Sequence, residues 1–322
     1  MNIKTAFSIF IAIVLVWFLL SKIEVGAIVI TLKNMPPHLI LLGLFFYALS
    51  YLFRAFRFKM LLQGDVSVVR LYNIVAIHNM WLNLLPLRAG ELSYLYLLKK
   101  KGGAVSYLTG VPSLVLARVF DLLSIFLLFL ISFVGLGQLP DLLNQLAILM
   151  IVMVLTALVI MALLLWKKER FLGQIKYYIL KYKMERIAFV NKMLGKSSEI
   201  LEGFKSVQDY IVIMKIFIYS LLSWLAINAY NFVIIRALNI DFNVWQILFI
   251  TIFFIFLSLL PVNGYAGFGT FESVFVVISS SFGVMPDVAI GAAFAAHIVS
   301  ICIFVLIGLI SFLALNFSMS NI

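Results

Sequence analysis

The sequence predicts an all-α membrane protein of about six transmembrane helices plus two re-entrant broken hairpins, arranged as an inverted repeat with both termini cytoplasmic. Three observations predict it. Of 322 residues, 65% are hydrophobic and only 11% charged, whereas a soluble domain carries roughly 25% charged residues. A chain with so little polar surface cannot cover a water-facing globule. Apolar runs long enough to span a bilayer recur along its whole length, and two further apolar segments are cut by Pro and Gly at corresponding places.

A spanning helix needs about 20 mostly apolar residues. The first such run, 5–22, follows Lys4 and leads into Ser21, Lys22, Ile23 and Glu24. No small-x-small cleavage site follows, so it reads as a retained signal-anchor and first span. A second span is expected at 39–55. Next comes 68–85, interrupted by Leu85-Pro86-Leu87-Arg88-Ala89-Gly90-Glu91 and followed by a short 92–98. That second arm is too short to cross, so about 68–98 reads as a re-entrant hairpin. A span at 107–134 closes the first unit, residues 1–135.

The second unit, 142–316, repeats the order. Spans are expected at 142–166 and 211–235, a broken hairpin at about 244–282, and a last span at 288–316. The two breaks resemble each other. Leu84-Leu85-Pro86 precedes Gly90-Glu91, and Leu259-Leu260-Pro261 precedes Gly267, Gly269 and Glu272. Between the first two spans of this unit lies 167–208, a basic cytoplasmic segment with interleaved Tyr177, Tyr178, Ile179, Met184 and Ile187, which suits amphipathic helices lying on an anionic leaflet.

Charge sets the orientation. The formal net charge is +11, but it is concentrated. Arg54, Arg57, Lys59 and Arg70 lie in 54–70, Arg88 and Lys99-Lys100-Lys101 in 88–106, and ten Lys/Arg in 167–205, while 136–141 and 282–287 hold only Asp141 and Asp287. The positive-inside rule puts the basic segments in the cytoplasm. The first hairpin then enters from the cytoplasm and the second from outside. This is a topological use of positive charge, and nucleic acid is not an expected partner. The single cysteine, Cys302, stands in an apolar run and is expected to act as a small buried hydrophobe.

Charged residues at membrane depth cost about 2.5–3.5 kcal/mol each on insertion scales and usually pair or line a pathway. Arg118 and Asp121 are three apart in an apolar helix, a spacing that lets them pair on one face. Arg88 and Glu91 sit at the first break, where Pro86 removes a backbone donor and Gly90 permits a turn. Non-helical backbone at that depth needs protein or a water-filled cavity to satisfy it. At the second break, Asn263, Gly267, Gly269 and Glu272 form a stretch whose free amides could meet an anion at a helix start. Arg54 and Arg57 are secondary candidates, since arginines at a helix end commonly snorkel to phosphates. Asn79, Asn83, Asn228 and Asn231 can hydrogen-bond across the bundle. His38, His78 and His297 are isolated in sequence, so no metal site is expected, and no cofactor. Two discontinuous hairpins in inverted repeats are a transporter signature, and no nucleophile–base constellation speaks for an enzyme.

These residues carry a resemblance. The run Leu85 to Glu91, then Arg118-Val119-Phe120-Asp121, then Leu260-Pro261 leading to Gly267-Phe268-Gly269-Thr270-Phe271-Glu272, resembles the lysylphosphatidylglycerol synthase transmembrane-region family over nearly the whole chain. The family includes the flippase portion of the bacterial multiple peptide resistance factor. The resemblance implies a lipid translocase of the prokaryotic cytoplasmic membrane. Its partners would be membrane lipids, an anionic phospholipid or its aminoacylated form, and the chain could form a homo-oligomer. Arg88 and Arg118 would hold the headgroup phosphate, with Glu91, Asp121 and Glu272 meeting cationic headgroup atoms or orienting the arginines. The family's aminoacyl-transferase domain is not in this sequence, so lipid synthesis by the chain is not expected. Tyr94 stands where a basic residue is expected, which leaves the headgroup open. Two other readings stay open: a membrane enzyme or accessory subunit of lipid-linked sugar assembly, for which no Asp-x-Asp occurs here, and a membrane scaffold.

Overall fold

The computed structural model describes residues 25–62, 66–85, 90–101, 107–166, 177, 181, 209–258 and 265–317. Among them every regular element is helical: α1 (Val25–Asn34), α2 (Pro37–Leu62), α3 (Val68–Leu84), α4 (Glu91–Lys101), α5 (Tyr107–Leu136), α6 (Asp141–Trp166), α7 (Tyr210–Ala237), α8 (Val244–Ser258), α9 (Thr270–Ser281) and α10 (Pro286–Phe317), with a 3-10 turn at Tyr265–Gly267. Five of them, α2, α5, α6, α7 and α10, are long and apolar enough to cross a bilayer. These are five of the six expected spans. The run at 5–22 lies outside the described residues, as do the break residues 86–89 and 259–264 and all of 167–208 except Tyr177 and Lys181.

Helix α1 had no counterpart among the expected elements. At 10 residues it is too short to register as a span. Its buried Ile28 packs with Ile290 and Phe294 of α10.

The packing pairs elements in a regular way. Helices α2 and α7 lie against each other, α3 packs on α10 and α8 on α5. Likewise α2–α3 matches α7–α8, α3–α4 matches α8–α9, α4–α5 matches α9–α10, and α5–α7 matches α10–α2. The outer contacts α1–α10 and α6–α5 also correspond. Exchanging α2 with α7, α3 with α8, α4 with α9 and α5 with α10 therefore reproduces the principal contacts among the described elements.

Glycines let two of these crossings come close. A Cβ on Gly135 of α5 would lie 2.5 Å from the Trp245 ring of α8, and one on Gly308 of α10 would lie 2.6 Å from Met80 Sδ of α3. Small residues let membrane helices approach to backbone distance, where dispersion contacts hold them. The core between them is apolar and continuous, with Tyr51, Phe129, Leu143, Ile216 and Phe249 essentially sealed. The outer faces are apolar too: on α6, Ile148, Leu149, Val152 and Met153 are each more than half exposed. Apolar surface inside and out is what a lipid solvent permits and water does not. The protein is a multi-pass membrane protein. Cys302 lies on the exposed face of α10 rather than in the core, because the apolar run that contains it presents side chains to lipid as well as to protein.

Candidate functional site

Polar side chains from five helices converge on Asp121 in α5. Arg57 of α2 donates from Nη1 to Asp121 Oδ1 at 2.5 Å and to Ser220 Oγ of α7 at 3.1 Å. Trp224 of α7 donates its indole N–H to the same Asp121 oxygen at 2.8 Å. Arg118, one turn back on α5, faces Asp121 Oδ2 at 3.5 Å and donates from Nη2 to Glu91 Oε1 of α4 at 2.8 Å. Arg54 of α2 turns onto Asn79 of α3, donating to Oδ1 at 2.6 Å, and lies over the Trp224 ring.

Local sequence explains how each group arrives. Arg54 and Arg57 are three apart on α2 and so share a face. Ser220 and Trp224 are four apart on α7, the neighbour against which α2 packs. Glu91 opens α4, where a carboxylate suits the positive helix start. Gly90 places that start. A Cβ there would lie 2.3 Å from the Leu82 backbone nitrogen of α3, so only glycine lets the returning chain touch the first arm. The Gly90 carbonyl accepts from Ser93 Oγ at 2.6 Å and lies 3.2 Å from His78 Nδ1, which ties the two arms together beside the break.

The site has a sealed floor and an accessible edge. The side chains of Arg57 and Asp121 are 3% and 6% exposed, while Arg118 and Glu91 are 32% and 25% exposed. Three guanidiniums, from Arg54, Arg57 and Arg118, face two carboxylates, so these five groups carry one excess positive charge. The Nε atoms of all three arginines are buried without a hydrogen-bond partner among the described residues. Buried polar donors are nearly always satisfied, and such a surplus of donors and charge in an apolar bundle suits an anion.

The expected roles are redistributed. Arg57 does not snorkel: it is a buried partner of Asp121, because α7 supplies it with polar partners at that depth. Arg118 and Asp121 pair as their spacing predicts, and Glu91 joins them. Arg88 and Asn263 lie outside the described residues. Asn79 does bond across the bundle, but Asn83 and Asn228 donate to carbonyls of their own helices, Asn79 O and Trp224 O.

The second break is built separately. Glu272 is fully buried and accepts the Gly269 N–H at Oε2, 2.7 Å. Its other oxygen lies 2.6 Å from His297 Nδ1 of α10. The Gly269 amide, expected to be free for an anion, is thus taken by a carboxylate of its own helix start. Gly267 and Gly269 both have positive φ, 79° and 81°, which glycine adopts without strain. Among the described residues Glu272 binds neither the arginines nor any group at the accessible edge, and His297, isolated in sequence, is its partner.

No curated protein matches the chain. Residues 5–308 match a family described as the lysylphosphatidylglycerol synthase TM region, and that span holds every residue of both clusters. The chain belongs to this family of membrane lipid-related domains.

Proposed function

We propose that this protein is a lipid translocase of the prokaryotic cytoplasmic membrane, which moves a phospholipid or other phosphate-bearing lipid between leaflets. The observation that carries this reading is the cluster around Asp121, three arginines against two acids with three unpartnered guanidinium N–H groups inside an apolar bundle. An isolated charge surplus at membrane depth is costly, and a lipid phosphate supplies both the compensating charge and the acceptor oxygens. Arg118, at the accessible edge, meets the phosphate first by exchanging Glu91 for it, and Arg57 and Asp121 hold the floor of the site rigid. The matched pairings across the bundle support two repeats, 1–135 and 142–316, inverted in the membrane. That arrangement would open one broken hairpin to each side, as alternating access requires. The accessible edge then lies toward the cytoplasm, with Lys59, Lys99 and Lys100.

Reconstitution into vesicles that carry labelled phosphatidylglycerol tests the proposal. The parent protein moves label between leaflets, and Arg118→Ala slows it by an order of magnitude or more while remaining folded. Equal rates for the parent, Arg118→Ala and protein-free vesicles would remove the proposal.

A further inference from the structure

The second break holds a titratable pair whose hydrogen bonds fix its proton count. His297 is held at both ring nitrogens, Nε2 at 2.9 Å from the Ala266 carbonyl and Nδ1 at 2.6 Å from Glu272 Oε1. A carbonyl oxygen only accepts, so Nε2 carries a hydrogen. The Nδ1–Oε1 contact then needs one more proton, either on the ring, giving imidazolium and carboxylate, or on the acid, giving neutral imidazole and carboxylic acid. Both descriptions hold one shared proton and zero net charge. The pair is sealed, with side-chain exposures of 7% and 0%, and Phe268 and Phe271 cover the imidazole at ring distances of 4.6 and 4.8 Å.

This pair also clamps strained backbone. Ala266 has φ 51° and ψ 15°, the left-handed region that a residue with a Cβ rarely adopts, and its carbonyl is the one His297 holds. Three residues on, the Gly269 N–H is held by Glu272. The two side chains thus fasten both sides of the turn Ala266–Gly269 and join it to α10.

We propose that Glu272 and His297 form a proton-binding site that locks the second hairpin onto α10, and that loss of the shared proton to water releases the hairpin. Deprotonation leaves a neutral imidazole facing a carboxylate. If the hydrogen stays on Nε2, the Nδ1 lone pair opposes Oε1; if it moves to Nδ1, the Nε2 lone pair opposes the Ala266 carbonyl. One of the two links breaks in either tautomer, and the pair acquires a net charge of −1 in a site closed to water. The strained turn then relaxes.

The packed elements carry few other titratable groups. Helix α8 contributes none, and α9 only Glu272. On α10, Asp287 lies in the first turn and Cys302 on the exposed face. Helix α1 carries Lys33 in its last turn. On α3, His78 is bonded to Gly90 and Ser93, and Arg70 and Tyr72 lie in its first two turns. On α7, Tyr230 bonds Ser300, one turn along α10 from His297. On α2, Arg54 and Arg57 are bound to Asn79 and Asp121. Among the described residues none of these hydrogen-bonds to Glu272 or His297, so the shared proton governs the lock.

Hydrogen–deuterium exchange of the full-length protein in phosphatidylglycerol-containing nanodiscs tests this without any reading of lipid movement, so it can fail while the proposed function stands. The readout is exchange in the 265–275 peptide from about pH 5 to pH 9, corrected for the intrinsic pH dependence. Release of one proton makes the open fraction rise about tenfold per pH unit above the transition. Glu272→Gln rebuilds the lock without a shared proton, because the amide NH2 donates to Nδ1 while its oxygen accepts from Gly269. Its exchange stays slow and flat across the range. His297→Ala is open and flat. A parent protein whose corrected exchange is flat, or a Glu272→Gln variant with the parent's slope, overturns the proposal.

Discussion

The carboxylate of Asp121 meets the guanidinium of Arg57 across 64 residues of sequence, at 2.5 Å and with both side chains almost fully removed from the surface. Trp224 donates to the same Asp121 oxygen, and Ser220 accepts from the same Arg57 nitrogen. A buried pair of this kind contributes little net stability relative to apolar residues, but removing one partner strands the other.

Asp121→Ala is therefore expected to destabilise the protein by about 3–5 kcal/mol, because it leaves Arg57 facing apolar helices and removes the counter-charge of Arg118. Thermal unfolding in detergent, followed by tryptophan fluorescence, reads this directly. Arg57→Met combined with Asp121→Leu should recover most of the loss. A double variant as unstable as Asp121→Ala would show that the charges are needed for the fold itself.

Arg118 uses two different nitrogens for its two acids, Nη2 for Glu91 and Nη1 for Asp121. Lysine has one point of charge and cannot match this fork. Arg118→Lys is expected to lose most of the translocation that Arg118→Ala loses, roughly tenfold to a hundredfold if one charge-assisted bond of about 1.5–3 kcal/mol is forfeited. Because these side chains are about a third and a quarter exposed, unfolding temperature should move little in either variant. A Lys variant with parental transport would assign Arg118 a purely charge-based role.

The parts of this arrangement visible in the sequence differ in physical kind. Five spans were legible because long runs of about 20 mostly apolar residues have few other uses. The Arg118–Asp121 pair was legible because helical spacing alone brings i and i+3 together. Arg57 with Asp121 and His297 with Glu272 were not, since each depends on which helices pack face to face, and local spacing carries no record of that. The short α1 was missed for a different reason: ten residues ending near Lys33 make neither a span nor a clear amphipathic period. His297 looked unremarkable because its partners, the Ala266 carbonyl and the Glu272 carboxylate, come from the second break and not from a recognisable ligand spacing.

Gly90 gives the sharpest steric prediction. The atoms within 2.3–2.5 Å of an added Cβ are backbone atoms of Leu82 and Trp81, which cannot swing aside as a side chain can. Gly90→Ala should displace the start of α4, and with it Glu91, at a cost of several kcal/mol, as overpacking at a rigid contact does. Gly26→Ala, with nothing within 4 Å, is the matched control and should be neutral or slightly stabilising, because alanine favours helix by up to about 1 kcal/mol. Yield of monodisperse protein and its unfolding temperature distinguish the two.

The two helix-crossing glycines should both resist an added side chain. At Gly308 the obstructing atoms belong to Met80, and one of them, its Cβ at 2.7 Å, is set by the backbone and does not move when the side chain changes rotamer. At Gly135 they belong to the indole of Trp245, a rigid ring on α8 that is more than a third exposed. Gly135→Ala and Gly308→Ala are thus each expected to cost about 1–3 kcal/mol. Shortening the obstacle should rescue the first variant: Gly135→Ala with Trp245→Leu should unfold close to the Trp245→Leu single variant in a double-mutant cycle. Additive losses in that cycle would mean that the strain at Gly135 comes from a contact other than the indole, and that α8 does not owe its close approach to α5 to this glycine.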